Sequence, residues 1–245
     1  MLWHKAWLES RGRFFVCLAM CLLPSLDLVF WQKTLLPGDI DGPQLYLKNL
    51  HTHHMGLSIL WVLAAVLLGL GGLVREKAIG SSSLTLSLPV SRTYLIAVRI
   101  CVGIAQAMAL AVVPWNANLV ISLIRGMPYS LSQAANLVFL LVTVGMVCFA
   151  AGVFVSSLVE GEYTAAALAY APVVLQSYLF GSIEQLKKMD IFVLVTGSNY
   201  VDKQTYLFAG ALPWSIIFGS ILVSALMVFA SVVVTDRREF GFLTR

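Results

Sequence analysis

The composition of this 245-residue chain is that of a membrane protein. Hydrophobic residues make up 59% of it and charged residues only 11%, with a formal net charge of +4. Soluble domains contain about 45–50% apolar and about 25% charged residues, so an ordinary water-soluble enzyme, a disordered chain and a collagen-like fibre are excluded. The basic excess is typical of loops that face the cytoplasm, and it requires no nucleic acid as a partner.

The apolar runs predict an all-α integral membrane protein, with one membrane domain over residues 1–245 and six transmembrane helices. A helix needs about 20 mainly apolar residues to cross a bilayer. Tryptophans, leucines and charges are interleaved over residues 1–13, which predicts a short amphipathic helix lying on the membrane surface. The six spans are predicted at about 14–31, 56–74, 94–114, 134–158, 164–180 and 214–235.

The third run stays apolar well beyond the length of one span. A continuous helix from Arg92 to Arg125 would measure roughly 50 Å, against about 30 Å for the hydrocarbon core. Either the helix extends outside the bilayer or it breaks at Pro114. The polar sequence Trp115-Asn116-Ala117-Asn118 after the proline favours a break or kink.

The distribution of Lys and Arg predicts that both termini are cytoplasmic. With the N terminus inside, six spans return the C terminus to the same side, and ten of the 16 basic residues then lie in cytoplasmic segments. This topology places a cytoplasmic loop at 75–93 and a long outer connection at 181–213. The short apolar run Ile191–Thr196 within that connection either dips into the membrane as a re-entrant segment or caps a cavity.

The cytoplasmic loop carries the most informative motif. Taken alone, its charged start and its exposed leucines fit either a membrane-surface loop or a docking element for a partner. Glu76 and Gly80, followed by Leu-Ser-Leu-Pro-Val-Ser-Arg at 86–92, resemble the loop between helices two and three of ABC-2 type transporter permeases. The amphipathic start, the six spans, the long outer connection and the basic tail Asp236-Arg237-Arg238-Glu239-Phe240 agree with that resemblance.

The resemblance implies the membrane-spanning subunit of an ATP-binding cassette exporter in the inner (plasma) membrane of a prokaryote. Two permease subunits then pair, as a homodimer or a heterodimer, and each contacts a separate cytosolic ATPase that binds ATP and Mg. The loop forms a coupling helix, and the turn around Gly161 makes a second contact. The residues implied in coupling are Glu76, Lys77, Gly80, Leu84, Leu86, Pro89, Arg92, Glu160 and Glu162.

No P-loop pattern GxxxxGK[ST] occurs in the sequence. ATP hydrolysis is therefore expected in a partner subunit, and this chain is expected to be neither an enzyme nor the holder of a cofactor. If transport is driven by ATP, the chain contributes the moving helices of the translocation path. Two states of these helices move a substrate only if they bind or expose it differently.

A few polar side chains lie within the apolar runs and are candidates for a substrate path. They can equally hydrogen-bond between helices, and Asp27 can pair with Lys33 at the membrane interface. The candidates are Asp27, Gln106, Asn116, Asn118 and Gln176.

Histidines are concentrated just before the second predicted span, at His51, His53 and His54. Imidazoles at this spacing can bind Zn, Cu or Ni. An interfacial cluster of this kind is more commonly polar capping, and no metal site is predicted.

Small residues share one face of the fourth predicted span, at Gly145, Cys148, Gly152 and Ser156. Such a face permits the close approach of a second helix. That helix belongs either to the same subunit or to a second copy of the chain.

Three other classes of membrane protein compete with the permease hypothesis. An intramembrane protease needs a catalytic set at membrane depth, whereas the acids and histidines here lie near the ends of the predicted spans. A secondary transporter often has inverted repeats and ionisable residues at the midplane, and neither is evident. A non-transporting membrane scaffold or sensor stays open as an alternative.

Overall fold

The computed structural model describes residues 2–31, 42–70, 91–124, 126–127, 129–159 and 161–237. Within these ranges the fold is all-α, as predicted, and its strand-like pairing is limited to an isolated bridge between Val201 and Phe208. The α-helices are α1 (Leu2–Trp31), α2 (Gly42–Gly69), α3 (Arg92–Ile124), α4 (Leu131–Leu158), α5 (Glu162–Ser182), α6 (Ile191–Thr196) and α7 (Trp214–Arg237).

Five helices of the described chain are long and apolar enough to cross a membrane: α2, α3, α4, α5 and α7. They correspond to the second to sixth predicted spans. The first predicted span, 14–31, is the C-terminal part of α1, and its role as a sixth span stays a prediction. Helix α2 begins at Gly42, far ahead of the predicted residue 56, because the polar segment before that position packs as helix against α3.

Two sequence-based expectations about helix boundaries were wrong. Residues 2–13 do not form a separate helix but are the first turns of the continuous helix α1. Ala6 packs there against Val98 and Val102 of α3, so these turns follow α3. A break at Pro114 is also absent, because α3 continues to Ile124, as in the alternative of a long continuous helix; a kink at Pro114 stays a prediction. Packing of buried residues on both sides of the proline, Ala111 and Trp115, holds the helix together despite the missing N–H.

Specific contacts show the direction in which neighbouring helices run. Helices α2 and α3 are antiparallel, since contacts join Trp61 to Ala107 and His54 to Trp115. Helices α1 and α3 are parallel, since Glu9 pairs with Arg99 and the Gln106 side chain donates to the Ser10 hydroxyl. Helices α4 and α7 are parallel too, with contacts between Phe139 and Trp214 and between Val153 and Ser231.

These directions define two ends of the bundle, which we call the terminal end and the distal end. The terminal end holds both ends of the described chain: α1, α3 and α5 begin there, and α2, α4 and α7 finish there. At the distal end, α2 and α4 begin and the connection 183–213 joins α5 to α7. Basic residues of the described part of the chain are more numerous at the terminal end. They are Lys5, Arg11, Arg13, Arg92, Arg99 and Arg237 there, against Lys48, Lys187, Lys188 and Lys203 at the distal end.

Helices α2 and α4 approach each other so closely that glycine is required at the contact. A Cβ atom on Gly152 would lie 2.7 Å from the carbonyl oxygen of Val66, and one on Gly69 would lie 2.5 Å from that of Phe149. Gly145 leaves the space that the buried Trp61 ring fills. The small-residue face of α4 therefore packs within the subunit, on α2.

The distal connection is tied to the bundle by side-chain amides. Gln133 of α4 accepts a hydrogen bond from the Phe208 N–H at 2.7 Å and donates to the Phe208 carbonyl at 3.3 Å. The short helix α6 occupies the run expected to be re-entrant, and its Val195 joins the main core. Gly197 ends α6 in the left-handed conformation (φ 67°) against Leu140, which favours glycine at this position.

Candidate functional site

Two connections leave the bundle at the terminal end, and both were predicted to contact an ATPase. One follows α2 and the other joins α4 to α5. Most of the predicted coupling residues lie outside the described chain, namely Glu76, Lys77, Gly80, Leu84, Leu86, Pro89 and Glu160. Arg92 and Glu162 are the first residues of α3 and α5, and their side chains also lie outside the described part.

The helix ends that flank these connections are joined to one another. Arg13 of α1 donates to the Leu67 carbonyl near the end of α2 at 3.1 Å. Ser156 of α4 donates to the Gly69 carbonyl at 3.5 Å. On the other side of the connection, Arg99 of α3 pairs with Glu9 of α1 at 2.8 Å. The terminal end is therefore a connected platform that involves α1, α2, α3 and α4.

The path candidates whose side chains are described, Gln106, Asn116, Asn118 and Gln176, lie in different surroundings. Gln106 is buried between α3 and α1, where its Nε2 donates to the Ser10 hydroxyl at 2.8 Å. Asn116 is exposed on α3, and its Nδ2 donates to the Val112 carbonyl of the same helix at 2.9 Å. Asp27 lies in the last turns of α1, where side chains are outside the described part.

Gln176 serves the distal connection. Its Nε2 donates to the Met189 carbonyl at 3.2 Å, and its Oε1 accepts from the Ile191 N–H at 3.3 Å. Its neighbour Ser177 donates to the Asp190 carboxylate at 3.0 Å, and that carboxylate also caps α6 by accepting from the Phe192 N–H. These contacts give Gln176 a structural role in holding α6.

Asn118 belongs to a buried polar cluster in the distal half of the α2–α3 interface. We call this set of His54, Trp115, Asn118 and Tyr129 the seam cluster. The His54 ring stacks on Trp115, with centroids 5.6 Å apart and planes 17° apart, and lies 5.7 Å from the Tyr129 ring. Asn118 lies one turn beyond Trp115 on the same helix. The exposed fractions are 4% for His54, 2% for Trp115, 0% for Asn118 and 4% for Tyr129.

The polar atoms of the seam cluster are unusual because they lack hydrogen-bond partners among the described residues. They are Nε2 of His54, Nε1 of Trp115, both amide atoms of Asn118 and the hydroxyl of Tyr129. Burial, together with the neighbouring Tyr46, raises the pKa of Tyr129, so its hydroxyl stays protonated and able to donate. One turn further along, Tyr46 and Ser122 do satisfy each other with a hydrogen bond between their hydroxyls.

The histidine cluster is divided by the geometry of α2. His54 faces α3, whereas His51 lies beside Tyr206 of the distal connection, 6.2 Å away between ring centroids. Within the described residues, no group of three or more His, Cys, Asp or Glu side chains is placed to hold a metal ion. The histidines lie inside α2, and His54 is a packing residue of the helix interface.

Three members of these sites carry no recognisable signal in the sequence: Trp115, Tyr129 and Gln133. Trp115 was regarded as part of a break, because it directly follows Pro114. Tyr129 and Gln133 flank the start of α4, where a turn and a helix cap give no signal of long-range contact. A four-residue periodicity on α2, at Tyr46, Leu50 and His54, was the available sign that this polar segment packs against a partner helix.

The five long apolar helices make this chain a multi-pass helical membrane protein. The profile of the ABC-2 family transporter proteins matches residues 32–189, which is more than half of the chain. The chain therefore belongs to the ABC-2 transporter family and is a transporter permease, as its sequence motif indicated. No curated protein and no solved structure matches the chain significantly.

Proposed function

We propose that this chain is the permease subunit of an ABC-2 exporter and is driven by a separate ATPase subunit. The family match carries this proposal, because it covers the segment that resembles a coupling loop as well as four of the five apolar helices, in whole or in part. The chain has no P-loop of its own, so ATP and Mg bind the partner. A second permease subunit, identical or related, completes the transporter.

The arrangement of the terminal end supports coupling at this site. The connection after α2 and the turn between α4 and α5 leave from the same end of the bundle, so one cytosolic subunit can contact both. The contacts of Gly69 with Ser156 and of Leu67 with Arg13 join the end of α2 to two other helices. A displacement of the loop therefore reaches several helices at once.

The same end is proposed to face the cytoplasm of a prokaryotic cell. The terminal end of the described helices carries the larger number of basic residues, which fits the positive-inside rule. Helix α1 runs parallel to α3 and packs along it through Ala6, Glu9 and Ser10. The alternating directions of the long helices fit six crossings with both termini inside.

Co-purification tests the proposal directly. The tagged protein is extracted from its native membranes in mild detergent, and its partners are identified by mass spectrometry alongside an ATP hydrolysis assay. We expect a P-loop ATPase in stoichiometric amount. Glu76→Ala and Gly80→Pro are expected to lose that partner and its hydrolysis, because both change the proposed coupling loop.

Glu184→Ala is the matched control, because it removes an exposed carboxylate at the distal end. It should retain the ATPase in full. A well-folded wild-type protein without any ATPase would overturn the exporter proposal and leave a secondary transporter or a scaffold as the leading alternatives. Equal loss in Glu184→Ala and Glu76→Ala would show that the effect does not come from the loop.

A further inference from the structure

The two halves of the α2–α3 interface differ in how their polar groups are satisfied. In the terminal half, the buried Trp61 donates its indole N–H to the Ala107 carbonyl at 2.9 Å. In the distal half, the indole N–H of the equally buried Trp115 has no partner among the described residues, and neither amide atom of Asn118 has one. Buried polar groups without partners are rare and call for an explanation.

Most of the unpartnered atoms belong to this one cluster, whereas Oε1 of Gln106 lies apart from it on the side of α3 that faces α1. His54, Trp115 and Tyr129 are in mutual ring contact through the imidazole, and Asn118 lies on the Trp115 face of α3. Polar groups of this kind are retained in an apolar bundle where they serve a second state or a ligand. The contact between Tyr46 and Ser122 shows that hydroxyls of this interface pair where the packing brings them together.

We infer that the seam cluster is a hydrogen-bonding site for the polar part of the transported substrate and becomes accessible when α2 and α3 separate. This inference rests on the proposed function as a transporter permease. In the present conformation the two helices close over the site. In the open conformation the same atoms face the path, so the two states bind a substrate differently, as alternating exposure requires.

The side chains of the site define the chemical class of the ligand. None of the four carries a permanent charge, and together they offer indole, amide and hydroxyl donors as well as amide and hydroxyl acceptors. Two aromatic rings and an imidazole supply flat apolar surfaces beside these groups. The site therefore suits an uncharged group that both donates and accepts, such as an amide or a hydroxyl attached to an apolar body.

A pair of asparagines on α3 provides a matched test by stability. Asn118→Leu replaces the buried, unpartnered amide by an apolar group of similar size, whereas Asn116→Leu replaces an exposed amide. We expect Asn118→Leu to raise the Tm of the purified protein by roughly 2–10 °C and Asn116→Leu to leave it within about 2 °C. An unchanged or lower Tm for Asn118→Leu would overturn the inference, because the amide would then be satisfied in the closed state.

Accessibility in the complete transporter tests the opening. Asn118→Cys and Asn116→Cys are reacted with a water-soluble methanethiosulfonate reagent in nanodiscs, without nucleotide and after trapping with ATP and vanadate, against wild type as background. We expect the labelling rate of Asn118→Cys to differ about tenfold or more between the two states. Asn116→Cys should label equally in both.

The outcomes separate the two proposals. Equal labelling of Asn118→Cys in both states, in a complex that hydrolyses ATP, would overturn the inference and leave the permease proposal intact. A purified protein without an associated ATPase would overturn both. A tenfold change in labelling together with a raised Tm for Asn118→Leu would establish the seam cluster as part of the path.

Discussion

Replacing Gly152 by alanine tests whether α2 and α4 touch through their backbones. The new Cβ would lie 2.7 Å from the Val66 carbonyl oxygen, whereas ordinary contact begins at 3.4 Å. The obstructing atom belongs to the backbone of a helix and cannot rotate away. The helices must therefore move apart by roughly 0.7 Å, or the side chains around the crossing must lose contacts.

Gly56→Ala isolates the clash from the general effect of alanine in a helix. A Cβ on Gly56, inside α2, would meet no heavy atom within 4 Å. Alanine gains about 1 kcal/mol over glycine in a helix interior, and both variants receive this gain. Overpacking typically costs about 1–3 kcal/mol, and only Gly152→Ala experiences it. At about 2–4 °C per kcal/mol, the Tm of Gly152→Ala should lie roughly 2–12 °C below that of Gly56→Ala.

The comparison needs only the thermal unfolding of both purified variants in the same detergent, monitored by tryptophan fluorescence. Gly69→Ala is expected to behave like Gly152→Ala, because its Cβ would lie 2.5 Å from the Phe149 carbonyl oxygen on the other side of the crossing. If Gly152→Ala and Gly56→Ala unfold at the same temperature, the close approach of the two helices is refuted.

Trp61→Phe should lower the free energy of unfolding by about 1–2 kcal/mol, because it removes the buried hydrogen bond from the indole N–H to the Ala107 carbonyl. Denaturant titration should give a lower midpoint, and an unchanged midpoint would show that the bond adds nothing. Gln133→Leu removes both hydrogen bonds to the Phe208 backbone, so proteases should cleave the distal connection faster than in wild type. An unchanged rate of cleavage would show that these bonds do not hold the connection. Hydrogen bonds from the Gln204 N–H and the Thr205 hydroxyl lower the pKa of Asp202, so its stabilising effect is present at neutral pH and lost as the pH falls below about 4. The protection of residues 201–208 against hydrogen exchange, corrected for the slower intrinsic exchange at low pH, should fall in that range for wild type but not for Asp202→Asn. Identical pH profiles of protection in both proteins would contradict this.

The long apolar helices were predictable because bilayer crossing leaves a direct mark on composition. The predicted spans at 134–158, 164–180 and 214–235 differ by only a few residues from α4, α5 and α7. The start of α2 was not predictable in this way. Residues 42–55 contain too many polar side chains to be recognised as a span, and their helix depends on packing of Tyr46, Leu50 and His54 against α3.

Long-range pairing explains the remaining differences at α1 and α3. The Glu9–Arg99 pair joins positions 90 residues apart, so no local pattern indicates that α1 packs along α3. Pro114 is a strong local signal for a break, but the packing of its neighbours on α2 overrides it. At the candidate site, Asn118 was recognisable as a polar residue in an apolar run, whereas its cluster partner Tyr129 is brought close only by the fold.

The glycine contacts between α2 and α4 have a mechanical consequence. Where carbonyl oxygens of one helix nearly touch the Cα positions of the other, no flexible side chain lies between them to absorb a load. Helices α2 and α4 therefore behave as one rigid unit over the stretch that contains Gly69 and Gly152. A force applied at the end of α2 moves both together. Relative sliding is easier at interfaces built from side chains, such as the contact between His54 of α2 and Trp115 of α3.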